Sequence, residues 1–268
     1  MVLAAGLGTR LRPLTDDRPK ALVEVGGRTL FEITLARLRA FGIHDVIVNV
    51  HHFADKVISF LAEHENFGMH IEVSREDVLL DTGGGLKNAS WFFLEESGQA
   101  GAEPFLLHNV DVVSTIDLQR MVQFHRDNKA LVTLAVQHRD SSRQLLFDDQ
   151  LQLCGRRAGR DAKPEIVRAA PKTEASAFSG IHVISPRLLT LMKEEGIFSI
   201  IDTYLRLAGT GEKILAFRAD DYYWRDLGKP ADLQQAARDL EQGVFPRSEL
   251  SQRKSNQKNA SRKNWTHC

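Results

Sequence analysis

Two glycines and a set of cations crowd one short stretch near the start of the chain, LAAGLGTRLRPLTDDRPK over residues 3–20. Ala5, Gly6 and Gly8 follow an apolar run, and glycines after a strand let backbone N–H groups close on an anion. Thr9, Arg10, Arg12, Arg18 and Lys20 share the same connection, with no matching run of acids. Guanidinium and ammonium groups converging on a glycine-rich turn suit a polyphosphate, whose oxygens they hold by charge-assisted bonds. A Walker A loop is excluded, because no Gly-Lys-Ser/Thr follows the glycines. A dinucleotide fingerprint fits badly: Gly6-Leu-Gly8-Thr-Arg-Leu11 lacks a third glycine, and Pro13 stands where a helix should run. An ordinary strand-to-helix turn accounts for Gly6 and Gly8 but leaves the cations unexplained.

Two carboxylates further along are candidates for the same chemistry. Asp111 comes just after the apolar run Phe105 to His108, at a strand end where an α/β site lies. A lone aspartate there is otherwise a turn or helix cap, a role that Asp117 already fills for a helix from Leu118. Asp226 also closes a strand-like run. Thr82-Gly83-Gly84-Gly85 reads as a flexible turn before a helix at Leu86, with Asp81 resembling an N-cap. His51 and His52 are adjacent, so they point apart in regular structure and make a poor metal pair. Ser179 and Gly180 sit in a buried strand, Phe178 to Ile184, where a glycine marks a close approach.

These residues need a scaffold, and the hydrophobic pattern supplies one. Val2 to Ala4, Asp45 to Val50, His70 to Ser74, Phe105 to His108 and Ala130 to Val136 read as strands. Leu30 to Phe41, Ala54 to His64 (Val57, Ile58 and Leu61 on one face) and Leu118 to Asp127 read as helices between them. Such alternation predicts an α/β fold, a Rossmann-like, doubly wound, mostly parallel mixed sheet. Past about residue 140 the spacing predicts a hairpin of Gln144 to Asp148 with Leu151 to Cys154, then a polar loop from Arg156 to Pro171. A helix opened by Pro186, another over Ile200 to Ala208, strands at Ile214 to Phe217 and Tyr222 to Asp226, and a helix from Pro230 to about Leu240 complete the pattern. We therefore expect one domain over residues 1–243, in two parts, to about 137 and over 138–243. A basic tail over 244–268 is expected to be disordered, since its composition cannot bury a core.

Acids and bases balance at 35 each, so no global field draws the chain to nucleic acid or an anionic membrane. Two cysteines, Cys154 and Cys268, argue against a disulfide framework. No apolar run reaches the roughly 18 residues of a membrane span, and the start lacks the basic region of a secretion signal. The expectation is a soluble cytoplasmic protein, in which the sequons at Asn259 and Asn264 are chance matches.

Taken together, LAAGLGTRLRPLT…RPKAL, Thr82-Gly-Gly-Gly85, Asn109-Val-Asp111, Phe178-Ser-Gly-Ile181 and Trp224-Arg-Asp-Leu-Gly228 resemble the motifs of the sugar-phosphate nucleotidyltransferases. The resemblance spans roughly residues 2 to 240 and implies a glycosyltransferase-A-like nucleotidyltransferase fold. The short length and DTGGGLKNA look most like the bacterial N-acetylmuramate-1-phosphate uridylyltransferase group, with mannose-1-phosphate guanylyltransferases next. The resemblance implies that Asp111 and Asp226 hold a catalytic Mg²⁺. It implies that Ala5, Gly6, Gly8, Thr9 and Arg10 embrace the triphosphate, that Lys20 steadies the α-phosphate, and that Thr82, Gly83, Gly84 and Asn109 receive the nucleoside. Arg143, Lys163 with Pro164, and Lys172 are candidates for the sugar phosphate, because the Glu-Lys-Pro of many relatives is missing. Ser179 and Gly180 would line the sugar pocket. The resemblance implies that the part to about 137 binds nucleotide and the part over 138–243 the sugar phosphate. Val110 replaces a glycine usual between the Asn and Asp, and we read it as a tolerated variant. The implied partners are a nucleoside triphosphate and a sugar 1-phosphate, with no nucleic acid, no membrane, and monomer or homo-oligomer left open. Another acceptor such as phosphocholine stays open, as does a non-catalytic regulatory subunit, although the latter should have lost one of Arg10, Lys20, Asp111 and Asp226.

Overall fold

Successive residues of the apolar runs point to opposite faces of a sheet, and here both faces are covered. Val46, Val48 and Val50 enter one core while Ile47 enters a second; Leu106 and Leu107 divide in the same way, as do Val183 and Ile184. This is why the strands read as continuous apolar runs. The computed structural model describes residues 1–95, 103–159 and 162–244. The basic tail from Arg247, with Asn259, Asn264 and Cys268, lies outside the described residues.

Helices Leu30–Ala40, Ala54–Glu63, Leu118–Asp127 and Pro230–Glu241 pack on the first face. Helices Asp81–Asn88, Trp91–Glu95, Arg187–Leu191 and Ile200–Gly209 pack on the second. Between them runs a mixed sheet. Strands His70–Arg75, Asp45–Val50, Val2–Leu3 and Phe105–Asn109 lie side by side and parallel. The 11-residue strand Glu174–Ile184 then joins antiparallel to Phe105–Asn109. Its later half also pairs with Val132–Gln137, which carries Ile214–Arg218 in parallel. Its earlier half pairs with Arg143–Phe147, followed outward by Leu153–Ala158 and Glu165–Ile166.

Local signals explain most boundaries. Thr29 and Glu32 form a capping box on the first helix, and the Asp117 carboxylate accepts from Arg120 N at 2.9 Å, as expected of an N-cap. Three expectations change. Ile58 is exposed, because the buried face of its helix runs through Ala54, Val57 and Leu61. The segment read as a loop from Arg156 is a strand to Ala158, and Glu165–Ile166 pairs back on it. The glycines at 83–85 are helical, inside Asp81–Asn88, and Asp81 is a helical residue with φ +59° whose carboxylate binds its neighbour Thr82 N. No helix among the described residues is long and apolar enough to cross a membrane.

Candidate active site

The opening loop leaves the sheet at the carboxyl end of Val2–Leu3, and a buried polar relay fixes where it leaves. Asn49 Oδ1 accepts from Ala4 N at 2.8 Å, and Asn49 Nδ2 donates to Glu76 Oε1 at 2.7 Å. The other Glu76 oxygen accepts from Leu80 N at 3.0 Å. Both side chains are buried, so these bonds work in a low dielectric and tie three strand ends together. Sequence reasoning missed this pair; the available signal was a polar residue inside the β-branched run DVIVNV. Downstream, Gly8 sits in the left-handed region at φ +65°, and a Cβ there would lie 2.9 Å from Thr15 Cγ2 and 3.1 Å from Lys20 Cβ. Thr15 Oγ1 donates to Gly8 O at 2.9 Å, closing the loop on itself. Ala5 is buried, whereas Gly6, Thr9 and Arg10 are exposed.

A two-stranded ribbon brings the carboxylates together across 115 residues of sequence. Trp224–Asp226 runs antiparallel to Val112–Ser114 with Asp226 opposite Val112, and Leu227 N donates to Asp111 O at 2.8 Å. Lys20 reaches in from the opening loop and pairs with the Asp111 carboxylate, although its side chain is nearly buried. Asp226 Oδ1 accepts from Gly228 N at 2.7 Å. Burial, and then the Asp111 charge, push the Asp226 carboxyl above its ordinary value, against the opposing pull of Lys20 and Arg10. A Cβ on Gly228 would lie 2.5 Å from Arg10 Nη2 and 2.7 Å from Asp226 Oδ1, so Arg10 lies over the turn after Asp226. Arg10, Lys20, Asp111 and Asp226 therefore converge. Two close carboxylates offering hard oxygens fit Mg²⁺, which takes one or two carboxylates plus substrate phosphates and water. Among the described residues no cluster of three or more His, Cys, Asp or Glu side chains is placed to hold a metal. His51 bonds to Glu76 O through Nδ1, and His52 packs on Phe53.

Thr82 and Asp81 line the cleft beside this cluster, but the glycines after them face inward. Gly83 and Gly84 N–H groups both donate to Phe198 O, at 2.9 and 3.3 Å, and Thr82 Oγ1 accepts from Ile200 N at 3.0 Å. A Cβ at Gly83 would collide with the Phe198 ring and lie 2.9 Å from Phe198 O. At Gly85 it would lie 2.7 Å from Glu76 Oε1 and 2.8 Å from Asn49 Nδ2. The triple glycine thus lets this helix dock on the 196–199 loop and on the Asn49–Glu76 relay. Gly83→Ala is expected to cost about 2–3 kcal/mol through forced overpacking, read as a lower urea midpoint at unchanged m-value.

The cleft itself has a volume of about 1070 Å³. Asn109, Val112 and Gly180 stand in its wall near Asp226. Gly180, at φ +74°, passes so close that a Cβ would lie 2.8 Å from Val112 Cγ2 and 2.9 Å from Asn109 Nδ2. It belongs to a bulge between Phe178 and His182, a device that re-aims side chains beside sites. Ser179 is fully buried, its hydroxyl has no hydrogen-bond partner, and its carbonyl accepts from Trp224 Nε1 at 2.7 Å. Val110 is a core residue with its N–H on Leu3 O, and it is not among the residues that line the cleft. Arg143 and Lys163 line the cleft, while Lys172 is exposed and not part of its lining. Sequence reasoning missed Arg139 and Arg157, which also line it. Burial pulls His108 and His182 down to about 3, and His182 Nδ1 bonds to Tyr204 Oη at 2.9 Å, so both rings are neutral core groups.

The family model for the nucleotidyl transferases matches residues 1–145. The chain is 34% identical over 239 residues to the N-acetylmuramate alpha-1-phosphate uridylyltransferase of Caulobacter vibrioides, covering 86% of this chain and 91% of that one. It is 28% identical over 251 residues to a mannose-1-phosphate guanylyltransferase of Mycobacterium tuberculosis, covering 92% of this chain and 65% of that longer one. Among solved structures, a putative glucose-1-phosphate thymidylyltransferase from Bacillus anthracis superposes with a TM-score of 0.73 at 19% identity, over 93% of this chain and 97% of that one. That likeness concerns the fold, a mixed, largely parallel sheet between helices. The chain belongs to the nucleotidyl transferase family, within its sugar-1-phosphate nucleotidyltransferases.

Proposed function

We propose that the protein joins UTP to N-acetylmuramate 1-phosphate, giving the UDP-sugar and pyrophosphate. The observation that carries the chemistry is the convergence of Arg10, Lys20, Asp111 and Asp226, of which Arg10 and Asp226 line the cleft. Support for the acceptor comes from the Caulobacter relative and from the cleft lining, where Arg143, Arg157 and Lys163 would suit the lactyl carboxylate of a muramate.

An acceptor phosphate oxygen forms the new bond to the α-phosphorus while the bond to the bridging oxygen breaks, and its electron pair leaves with pyrophosphate. The acceptor monoester has a second pKa near ~6, so its oxygen is already anionic and no protein base is required. Catalysis then rests on positioning and charge neutralisation. Arg10, with the loop amides around Gly8, would hold the departing pyrophosphate, and Lys20 would steady the α-phosphate. Asp111 and Asp226 would hold Mg²⁺, which when bound supplies charge neutralisation on the phosphate oxygens. Thr82 and Asn109 would contact the nucleoside, and the docked glycines at 83 and 84 would set the position of Thr82. Residues to about 137 would then serve the nucleotide and those over 138–243 the acceptor.

Pyrophosphate release with UTP, GTP, CTP and dTTP against the 1-phosphates of N-acetylmuramate, mannose and glucose tests this. We expect kcat/KM for UTP with N-acetylmuramate 1-phosphate to exceed every other pairing by at least about tenfold. A preference for GTP with mannose 1-phosphate would overturn both substrate assignments.

A further inference from the structure

One arginine in the wall of the cleft is stacked on an aromatic ring. Arg139 lies with its guanidinium carbon 3.7 Å from the centre of the Trp224 ring. One of its terminal nitrogens donates to Phe178 O at 2.6 Å. Its Nε is buried without a hydrogen-bond partner, and among the described residues no carboxylate pairs with it. Burial lowers its affinity for the proton, with the charge of Asp226 acting in the opposite direction. Two neighbouring cations of the cleft are already committed to carboxylates. Arg156 bonds to Glu165 at 2.7 Å and Asp202 at 2.5 Å, and Arg225 to Asp239 at 3.1 Å. A half-buried guanidinium with an idle donor and no carboxylate bonded to it is only partly compensated until an anion arrives.

Its position says which anion. Trp224, the platform, stands two residues before Asp226, and Phe178, the other anchor, opens the bulge that carries Gly180 against Asn109. Arg139 therefore stands beside Asp226, held through Trp224 and Phe178 and not by the loop that carries Arg10 and Lys20. The ring fixes the plane of the fork, which suits bidentate contact with a phosphate. We propose that Arg139 holds the 1-phosphate of the acceptor sugar beside Asp226, in place of the lysine that Glu-Lys-Pro would supply. This rests on the reaction proposed above, since it requires a phosphorylated acceptor in this cleft.

Calorimetric titration of the wild type, Arg139→Gln, Arg139→Lys and Trp224→Leu with N-acetylmuramate, mannose and glucose 1-phosphates, and separately with UTP, tests it. The best-bound sugar phosphate should lose about 10- to 100-fold in affinity in Arg139→Gln, with UTP affinity within about twofold. Arg139→Lys should recover part of the loss, because charge returns without the planar fork, and Trp224→Leu should weaken the same ligand selectively. Unchanged sugar-phosphate affinity in Arg139→Gln, or an equal loss toward UTP, would overturn the assignment of Arg139 alone. A wild type that binds UTP and none of the sugar phosphates would overturn it together with the proposed reaction.

Discussion

Asp226→Asn is expected to lose at least about a thousandfold in kcat/KM, some 4 kcal/mol of transition-state stabilisation, and yet to melt higher than the wild type at pH 7. The two effects share one cause. Asp226 sits half-buried beside Asp111, and its carboxyl is raised from the ordinary 3.8 by burial first and by that neighbour second. A carboxyl with a raised folded-state pKa binds its proton more readily in the folded protein. Its ionisation therefore costs stability, and the cost grows as pH rises through the folded-state value. Below about pH 4 the group is protonated in both states, so the cost vanishes there. Asparagine keeps the oxygen that accepts from Gly228 N and removes the charge. Melting curves in EDTA should show the variant above the wild type by a few degrees at pH 7, with the gap closing toward pH 4. A variant that melts lower at pH 7 would mean that Lys20 and Arg10 more than compensate the carboxylate. Such a trade of stability for function is common where a site needs charge out of water.

How much of this could be read without coordinates depended on the range of each interaction. The run DVIVNV and the capping pair Thr29 with Glu32 are local, so Asp45–Val50 and the helix after Thr29 follow from residues a few positions apart. Asp117 was legible as a cap for the same reason. The glycines at 83–85 were visible as glycines, but their purpose was not. Their contacts are with Phe198, more than 100 positions away, and with Asn49 and Glu76, and no periodicity encodes those. The pairing of Asp111 with Asp226 was implied by resemblance; physically it depends on the ribbon of Val112–Ser114 with Trp224–Asp226, which no spacing rule predicts. Arg139 stayed hidden because an arginine after a strand is usually a solvated end. Only the fold stacks it on Trp224.

Lys20→Met should be almost as damaging as Asp226→Asn, and in the opposite sense for stability. Lys20 has two functions that the same charge performs. In the resting protein it compensates Asp111 from a nearly buried position, and in the proposed reaction it steadies the α-phosphate. Methionine conserves the stem that packs beside Gly8, so the loss can be assigned to the charge. Removing one partner of a buried pair leaves the other uncompensated, which is the costly direction. Asp111 and Asp226 would then face each other with Arg10 and Arg139 as the opposing charges nearby. We expect a fall of about 10²–10³ in kcat/KM and a lower melting temperature in EDTA, partly restored by millimolar Mg²⁺ through linkage. The pH profile gives a sharper test. Lys20 pulls the Asp226 carboxyl down, so its removal lets that pKa rise, and the acid limb of kcat/KM should move to higher pH. Lys20→Arg should not restore full activity, because the broader guanidinium cannot occupy the same narrow approach to Asp111 as an ammonium. Activity within about threefold of wild type in Lys20→Met would remove Lys20 from the chemistry and leave it a purely structural partner of Asp111. An unmoved acid limb would separate Asp226 from the group that limits activity at low pH.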